Sequence, residues 1–526
     1  MLYRNTFCIM SSPLLNKRFC SDNDGTDVFI LFSRNYSGDL KSSKCMIHFF
    51  RMITREEILA IYEAGPDVVV ELFMKQEQML QSLRERIEKL EAQLGKNSQN
   101  SSKPPSSDGL KRKNRSLRTR SGRKPGGQEG HKGSTLSFCE KPTEVKDCPA
   151  KECSHCGHDL SSQEALIYEK RQIFEWPEVH LKVTEYRSEI KACPVCHAET
   201  KGKFPEEVKQ AVQYGSHLKG LAVYFNQYQF LPYERLGEVF EVLCGQSISE
   251  GTLFNAVQSC GENLSEFEAV AKEMLKNVEV LHHDESGMRV EKKLHWVHSA
   301  STADWSWYQV HAKRGQEASA EIGILPEFAG ILAHDHWKPY FQYSCVHALC
   351  NAHHLRELKF VEESYQQAWA GQMAELLREI KNAVEACPNA ALSVGEIANF
   401  EKSYGEILEA GLAVNPLPEK PEKKRGRQKK SPARNLLERL SQYRPEVLRF
   451  MHDFRVPFDN NQAERDIRMV KLYQKISGCF RTMAGAQTFC RIRSYLSTLK
   501  KQGFNLINSL AQAIQGQPVI PSFTPT

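Results

Sequence analysis

Two short apolar runs in the sequence each end in an acid: Asn277-Val-Glu-Val-Leu-His-His-Asp284 and Gly330-Ile-Leu-Ala-His-Asp335. A third acid, Glu464, lies in Phe458-Asp-Asn-Asn-Gln-Ala-Glu-Arg-Asp-Ile-Arg468. There Asp459 or Asn460 can cap a helix, and Glu464 stands one turn inside it. One acid at a strand end is usually solvated, but two on hydrophobic strands followed by a helix-borne third form a set. Hydrolysing a phosphodiester requires a nucleophilic oxygen, in-line geometry and stabilisation of charge on the attacking and leaving oxygens. Two Mg²⁺ (or Mn²⁺) ions about 4 Å apart, held by hard oxygen ligands, meet those demands. The expected roles are Asp284 bridging both ions, Asp335 binding one and Glu464 the other. Arg468 and Lys471 follow Glu464 at i+4 and i+7 with Lys475 near by, so this helix face is expected to bind DNA phosphate.

Soft donors form a separate group. Cys153-x-x-Cys156 and Cys193-x-x-Cys196 are two knuckle-like pairs with 36 residues between them. Four thiolates in that pattern can close a tetrahedral structural Zn²⁺ site with no open position for catalysis. His155, His158 and His197 are possible substitutes in the ligand set. Ile173-Phe174-Glu175-Trp176 and Leu181-Lys182-Val183-Thr184 are expected to be strands of a zinc ribbon. Ahead of it, residues 103–132 hold ten Lys or Arg against Asp108 and Glu129. Lys111, Arg112, Lys113, Arg115, Arg118, Arg120, Arg123 and Lys124 lie in that Gly- and Pro-rich stretch, which suits neutralising phosphates with counterion release.

Other chemistries fit less well. His282, His283, His334, His336, His353 and His354 crowd the acids, yet none forms the H-E-x-x-H pattern of a zinc hydrolase. Cys350 lacks an acid–His pair to activate it, and reads as a packed thiol. Trp305 and Trp307 read as sheet packing rather than base-stacking platforms.

The elements that must position the acids follow from periodicity. Leu294 to Ser299, Trp305 to Val310 and Ser344 to Leu349 are further strands, and Gln316 to Leu325 is a helix stopped by Pro326. The resulting order β-β-β-α-β-(α)-β matches a ribonuclease H-like mixed sheet in a multidomain α/β chain, with Asp284 and Asp335 on neighbouring central strands. Residues 208–260 are helical. Glu234 to Val242 and Thr252 to Val257 there are either a helix-turn-helix or two ordinary packed helices. Further upstream, Leu80, Leu83, Ile87, Leu90 and Leu94 keep the three–four spacing of a coiled coil, a zipper or a helix packed on its own domain. Thr54 and Glu57 form a capping box, and Met52 is a candidate natural start, because residues 1–51 lack sustained periodicity.

These stretches together resemble the large DDE-type transposase of the insertion sequence 66 family, over about Ile53 to Gln512. The resemblance is carried by Asn97-Ser-Gln-Asn-Ser-Ser-Lys-Pro-Pro-Ser-Ser-Asp108, Gly126-Gly-Gln-Glu-Gly-His-Lys132 and the double Cys pair. It continues through His283-Asp-Glu-Ser-Gly287, His334-Asp-His-Trp-Lys-Pro-Tyr340, Cys350-Asn-Ala-His-His-Leu-Arg356 and Asp459-Asn-Asn-Gln-Ala-Glu-Arg465. It implies that Asp284, Asp335 and Glu464 are the catalytic acids, with an amino-terminal zipper, a zinc-binding DNA-contacting region and a helical insertion before the last acid. The chain departs from the pattern at His336-Trp337, where Gly and an aromatic are expected, and at Ser286, where Thr is common.

The expected organisation is therefore an extension (1–51), a zipper helix (52–96), a basic linker (97–140), a zinc module (141–205) and a helical DNA-binding region (206–275). After these come a first core part (276–352), a helical insertion (353–457) that includes a basic run at 420–430, and the final core helices (458–515). The length of 526 residues accommodates three or four domains at about 150 residues each. Hydrophobic residues make up 40%, which excludes wholesale disorder, and no apolar run is long enough to span a membrane. Seventy basic against 64 acidic residues leave +6, a small net charge that conceals local basic clusters. The expected activity is Mg-dependent cleavage and strand transfer at terminal inverted repeats. Double-stranded DNA, a second copy of the chain and small accessory proteins are the expected partners, in a bacterial cytoplasm at the nucleoid. The alternative is a non-catalytic zinc-containing DNA-binding protein derived from a transposase.

Overall fold

The structure is a computed structural model describing residues 17–21, 27–31, 55–97, 100–101, 137–176, 179–387, 391–417 and 430–522. The chain divides into two units, Met1–Gly95 and Lys96–Thr526. In the first unit, β1 (Lys17–Ser21) and β2 (Asp27–Leu31) pair as an antiparallel hairpin, and α1 (Arg55–Glu63) precedes α2 (Pro66–Gly95). The proposed start at Met52 and the capping Thr54 lie outside the described residues. Among the described residues no helix is long and apolar enough to cross a membrane.

The second unit opens on the cysteine module, where β3 (Ile190–Ala192) pairs antiparallel with β4 (Glu199–Lys201). The strands expected at Ile173 to Trp176 and Leu181 to Thr184 do not form. Ile173 and Val183 are almost fully exposed, so their β-branched side chains have no buried face to reward pairing. Helices α3 (Ser216–Val223), α4 (Tyr233–Cys244), α5 (Glu250–Asn263) and α6 (Ser265–Lys276) follow. The second helix of the possible helix-turn-helix, α5, contains no Lys or Arg, and its Leu253, Ala256, Val257 and Cys260 are buried. Of the two readings, packed helices match this arrangement.

The centre is a five-stranded mixed sheet of β5 (Val280–Val290), β6 (Lys293–Ser301), β7 (Ser306–His311), β8 (Ile331–His334) and β9 (Val346–Leu349), in spatial order β7-β6-β5-β8-β9. The first three are antiparallel neighbours, while β5, β8 and β9 run parallel. The helix α7 (Gln316–Ile322) makes the crossover before β8. A short 3₁₀ turn, Lys338–Gln342, replaces the helix expected between β8 and β9. At Gly330 a side chain would meet the carbonyls of Val278 and Glu279 at 2.6 and 2.7 Å, so only glycine lets β8 enter beside β5.

Both faces of the sheet are covered. Leu281, Ala300, Trp307 and Leu332 share a core with Phe267 and Leu275 of α6 and with Ile492, Leu496 and Leu499 of α14 (Met483–Lys501). Trp305 and Trp307 are both buried in that core, as packing residues should be. Met288, Val290 and Val297 pack with Ile467 and Val470 of α13 (Asn461–Ser477). Between β9 and α13 the chain forms α8 (Asn351–Tyr365), α9 (Ala368–Ala386), α10 (Val394–Val414), α11 (Pro432–Gln442) and α12 (Arg444–His452). These share a core in which Trp369, Leu377, Leu437 and Leu448 pack with Ile331, Ala348 and Leu349 of β8 and β9, and the region expected as a helical insertion, 353–457, is mostly helical where it is described. Most of its basic run lies outside the described residues, at 418–429.

Candidate active site and cysteine module

Parallel pairing places two of the acids side by side. The last register pair between β5 and β8 is His282 with Ala333. Two residues further along each strand stand Asp284 and Asp335, on neighbouring strands and on the same face. Asp284 does not end its strand as expected, because β5 continues to Val290 in its pairing with β6. Side chains alternate, so Asp284, Met288 and Val290 point to one face, and that face packs against α13. Glu464 lies in the first turn of α13, on the side of the sheet to which Asp284 points, and its charge acts on Asp284. The ligand oxygens of Asp284, Asp335 and Glu464 do not gather within 4.8 Å of one another.

Asp284 Oδ1 accepts from the Glu285 amide at 2.8 Å, and Asp335 Oδ1 accepts from the Trp337 amide at 2.9 Å. Each aspartate keeps its other carboxylate oxygen without a protein partner among the described residues. Burial pushes the Asp284 carboxyl well above the usual range, and the charges of Glu285, Asp335 and Glu464 add to the effect. A half-buried group of hard, mutually repelling oxygens suits a divalent Mg²⁺ or Mn²⁺, so the donor set fits the ions expected there.

The flanking groups are firmly held. Glu285 faces the opposite side of β5, where Arg314 Nε donates to Oε1 at 2.7 Å and the Tyr340 hydroxyl donates to Oε2. Burial raises the Glu285 carboxyl to about 7 despite those partners. The Arg314 guanidinium sits over the Trp296 and Trp337 rings at 4.9 and 4.3 Å. His283 pairs with the Tyr340 hydroxyl at 3.0 Å, and His334 with His347 at 3.1 Å. Burial keeps His283 well below its usual range, brings His334 to about 3 and brings His336 to about 4, so these imidazoles are neutral. Their role is to pack and orient the acid-bearing strands.

On α8, Arg356 donates to both oxygens of Glu464, at 3.1 and 3.4 Å, and His353 Nε2 lies 3.7 Å from Oε1. Cys350 is fully buried, its thiol pushed up to about 12 by burial, as a packed cysteine should be. Asn460 stands at the N-cap position of α13, yet its side chain makes no cap bond. Nδ2 donates instead to the His283 carbonyl at 2.8 Å, while Oδ1 pairs with His282 at 2.8 Å. Asp459 makes the local turn, accepting from the Asn461 amide at 3.0 Å.

Sequence reasoning missed Arg314, Arg356 and the true role of Asn460. Arg356 could have been found, because it lies three residues after His353 and so shares its helical face. Arg314 is a lone loop arginine with no pattern to mark it. The cations expected on α13, Arg468, Lys471 and Lys475, are all exposed. The Lys471 ammonium also donates to the Gly287 carbonyl and ties α13 to β5. Lys111, Arg112, Lys113, Arg115, Arg118, Arg120, Arg123 and Lys124 lie outside the described residues.

In the cysteine module two turns repeat one design. The Cys153 amide donates to the His158 carbonyl and the Gly157 amide to the Cys153 carbonyl, both at 2.8 Å. Equivalent bonds join Cys193 with Ala198 at 2.9 Å and with His197 at 2.8 Å. Main-chain amides lower the first thiol of each knuckle: His155 foremost at Cys153, Cys196 foremost at Cys193. Thiolates held in this way are suitable zinc ligands. Each knuckle forms, but no three of the four sulfurs gather into one group among the described residues.

A mixed sheet bearing acids, joined to paired cysteine knuckles, is the arrangement that the family matches cover, and they point to a transposase. Residues 211–488, just over half of the chain, match the Transposase IS66 family, and the chain belongs to that family. Residues 150–197, which contain both knuckles, match the zinc-finger binding domain of transposase IS66, in keeping with structural zinc. Residues 59–137 match a family of unknown function. No curated protein matches the chain.

Proposed function

We propose that this chain is a DDE-type DNA transposase that cuts element ends at terminal inverted repeats and joins the freed 3′-hydroxyl to target DNA. The observation that carries this reading is the parallel register that sets Asp284 and Asp335 on one face of neighbouring strands, with the charge of Glu464 acting on Asp284. The sheet order and the crossover helix support a ribonuclease H-like core. Asp284, Asp335 and Glu464 would hold two Mg²⁺ ions, which supply an activated oxygen nucleophile and stabilise the leaving oxygen. Around them the chain orients rather than reacts. The Glu285 and Trp337 amides fix one oxygen of each aspartate, and Asn460 fixes the start of the helix that carries Glu464.

Arg468 and Lys475 stand exposed beyond Glu464 to take phosphate, and the basic linker extends that contact. Cys153, Cys156, Cys193 and Cys196 would ligate one structural Zn²⁺ that folds a DNA-contacting module. A homodimer on paired ends, with small accessory proteins, would act on the bacterial nucleoid in the cytoplasm. The test is strand cleavage of labelled element-end DNA with Mg²⁺. Asp284→Ala, Asp335→Ala and Glu464→Ala should each abolish it while leaving DNA binding intact; cleavage that survives all three changes rules the reading out. The second reading is a DNA-binding protein without turnover. It draws on Arg356, whose guanidinium occupies both Glu464 oxygens, and predicts DNA binding with no cleavage in the unaltered chain.

A further inference from the structure

Glu464, proposed above as the third acid, faces Cys350 and His353, and one ligand atom from each of Cys350, His353 and Glu464 lies within 4.8 Å of the others. We propose that these three residues form a second metal site, for a thiophilic divalent cation such as Zn²⁺, and that its occupation withdraws Glu464 from the acid trio. The regulatory half of this proposal rests on the reading of Glu464 as the third catalytic acid.

The local structure is built for it. Cys350 is the N-cap residue of α8 and His353 lies in its first turn, its amide donating to the Cys350 carbonyl at 3.1 Å. That turn gives the Cys-x-x-His spacing in which a sulfur and an imidazole can meet one ion. The Asn460 amide donates to Cys350 Sγ at 3.1 Å and so points a donor at the sulfur from the α13 side. His353 Nδ1 is buried with no hydrogen-bond partner, while Nε2 faces the Glu464 carboxylate at 3.7 Å. The His353 and Glu464 side chains are 20% and 23% exposed, which leaves an ion a way in.

A sulfur, a nitrogen and a carboxylate oxygen suit Zn²⁺ or Co²⁺, whereas Mg²⁺ requires oxygen ligands throughout. Binding would replace the S–H bond of Cys350 with an S–metal bond, and the proton passes to buffer. Arg356 now supplies the positive charge beside Glu464 at 3.1 Å, and the ion would take its place. The ligands would contract to about 2.0–2.3 Å from the ion.

The direct test is Co²⁺ titration of the full chain with its cysteine knuckles already loaded with zinc. Thiolate-to-cobalt absorption is the readout. The unaltered chain should take up one more equivalent than Cys350→Ser, and His353→Gln should weaken that uptake at least about tenfold. Because His353 is partly exposed, this second variant decides the matter if Cys350→Ser folds poorly. Identical uptake and spectra in all three proteins overturn the site. In a second measurement Zn²⁺ is added to Mg²⁺-supported end cleavage. It should inhibit the unaltered chain at a concentration at least about tenfold below that needed for His353→Gln. Equal inhibition of both overturns the competition for Glu464. Absence of cleavage in every protein counts against the transposase reading alone, since the cobalt result still decides the site.

Discussion

Asn460 donates from Nδ2 to the main-chain carbonyl of His283, 2.8 Å away, and so pins the start of α13 to the strand residue preceding Asp284. The same side chain reaches His282 through Oδ1, and the main-chain N–H of Asn460 donates to Cys350 Sγ. One buried residue thus ties together the strand of the first acid, the helix of the third and the cap of α8. The placement of α13 against the strand of Asp284 therefore rests in part on this side chain, beside the packing of Ile467 and Val470 on Met288 and Val290.

Asn460→Ala should therefore slow cleavage through misplacement of Glu464 while DNA affinity stays unchanged. It leaves the His283 carbonyl without this donor in a buried setting, at a cost of about 1–3 kcal/mol in stability. Chemical denaturation checks the second effect, and single-turnover cleavage beside a binding titration checks the first. Equal losses in binding and cleavage would count against a positioning role.

Asp284→Asn should abolish cleavage yet stabilise the metal-free protein at neutral pH. Folding raises the carboxyl, so its ionised form is the costly one. Below the unfolded value near 3.9 both states are protonated, and Asn brings no gain. The gain should appear as pH rises above that value, and reach about 1–2 kcal/mol, or a few degrees in melting temperature. Melting curves at acid and neutral pH, with and without Mg²⁺, provide the check. Mg²⁺ should raise the melting temperature of the unaltered chain more than that of Asp284→Asn.

The elements that carry Asp284, Asp335 and Glu464 were legible in the sequence because a buried strand running into a carboxylate breaks the hydrophobic pattern, and Glu464 follows the helix start at Asn460. Five strands were legible because Val, Ile, Trp and Tyr cluster between turns. Three features were not legible. The continuation of β5 past Asp284 depends on pairing with β6, since Glu285, Ser286 and Gly287 carry no strand signal of their own. The apolar runs at Ile173 and Val183 look like strands but find no sheet to join. The alternative bonding of Asn460 and Lys471 depends on what lies across the site, which local pattern does not encode.

Arg468, Lys471 and Lys475 are all exposed on α13, and Lys471 is in addition tied to the Gly287 carbonyl. Arg468→Ala and Lys475→Ala should each reduce the salt dependence of DNA binding by about one unit of slope. Lys471→Ala should change that slope little and lower thermal stability instead. Binding isotherms across a range of salt, paired with melting curves, separate the two behaviours. A full unit of slope lost in Lys471→Ala would return it to the phosphate-binding set.

In the cysteine module His197 holds φ +58°, at the position that Gly157 fills with φ +74° in the other knuckle. A side chain in this left-handed region is strained, and glycine is not. His197→Gly should keep zinc and stabilise the loaded module by up to about 1 kcal/mol, whereas Cys193→Ser should lose the ion. Zinc content after exhaustive dialysis, with resistance to proteolysis, measures both. Loss of zinc in His197→Gly would make His197 a ligand and displace one of the four cysteines.

The helix α2 runs for 30 residues, about 45 Å, and Leu80, Leu83, Ile87, Leu90 and Leu94 along its a/d positions are all exposed in the single chain. Leaving that seam in water forfeits the burial that gives a coiled coil its stability, and a second copy of α2 supplies matching knobs and holes. Lys75 and Glu71 form an i,i+4 pair outside the seam, as a solvated flank should. Leu83→Lys with Ile87→Lys should therefore convert a dimer to a monomer, because two charges would face their own copies across the seam. Sedimentation of the full chain measures the mass directly. End cleavage that needs two protomers together should fall with it, while binding to a single end persists. A dimer that survives both substitutions would place the self-association elsewhere in the chain and leave α2 to another partner.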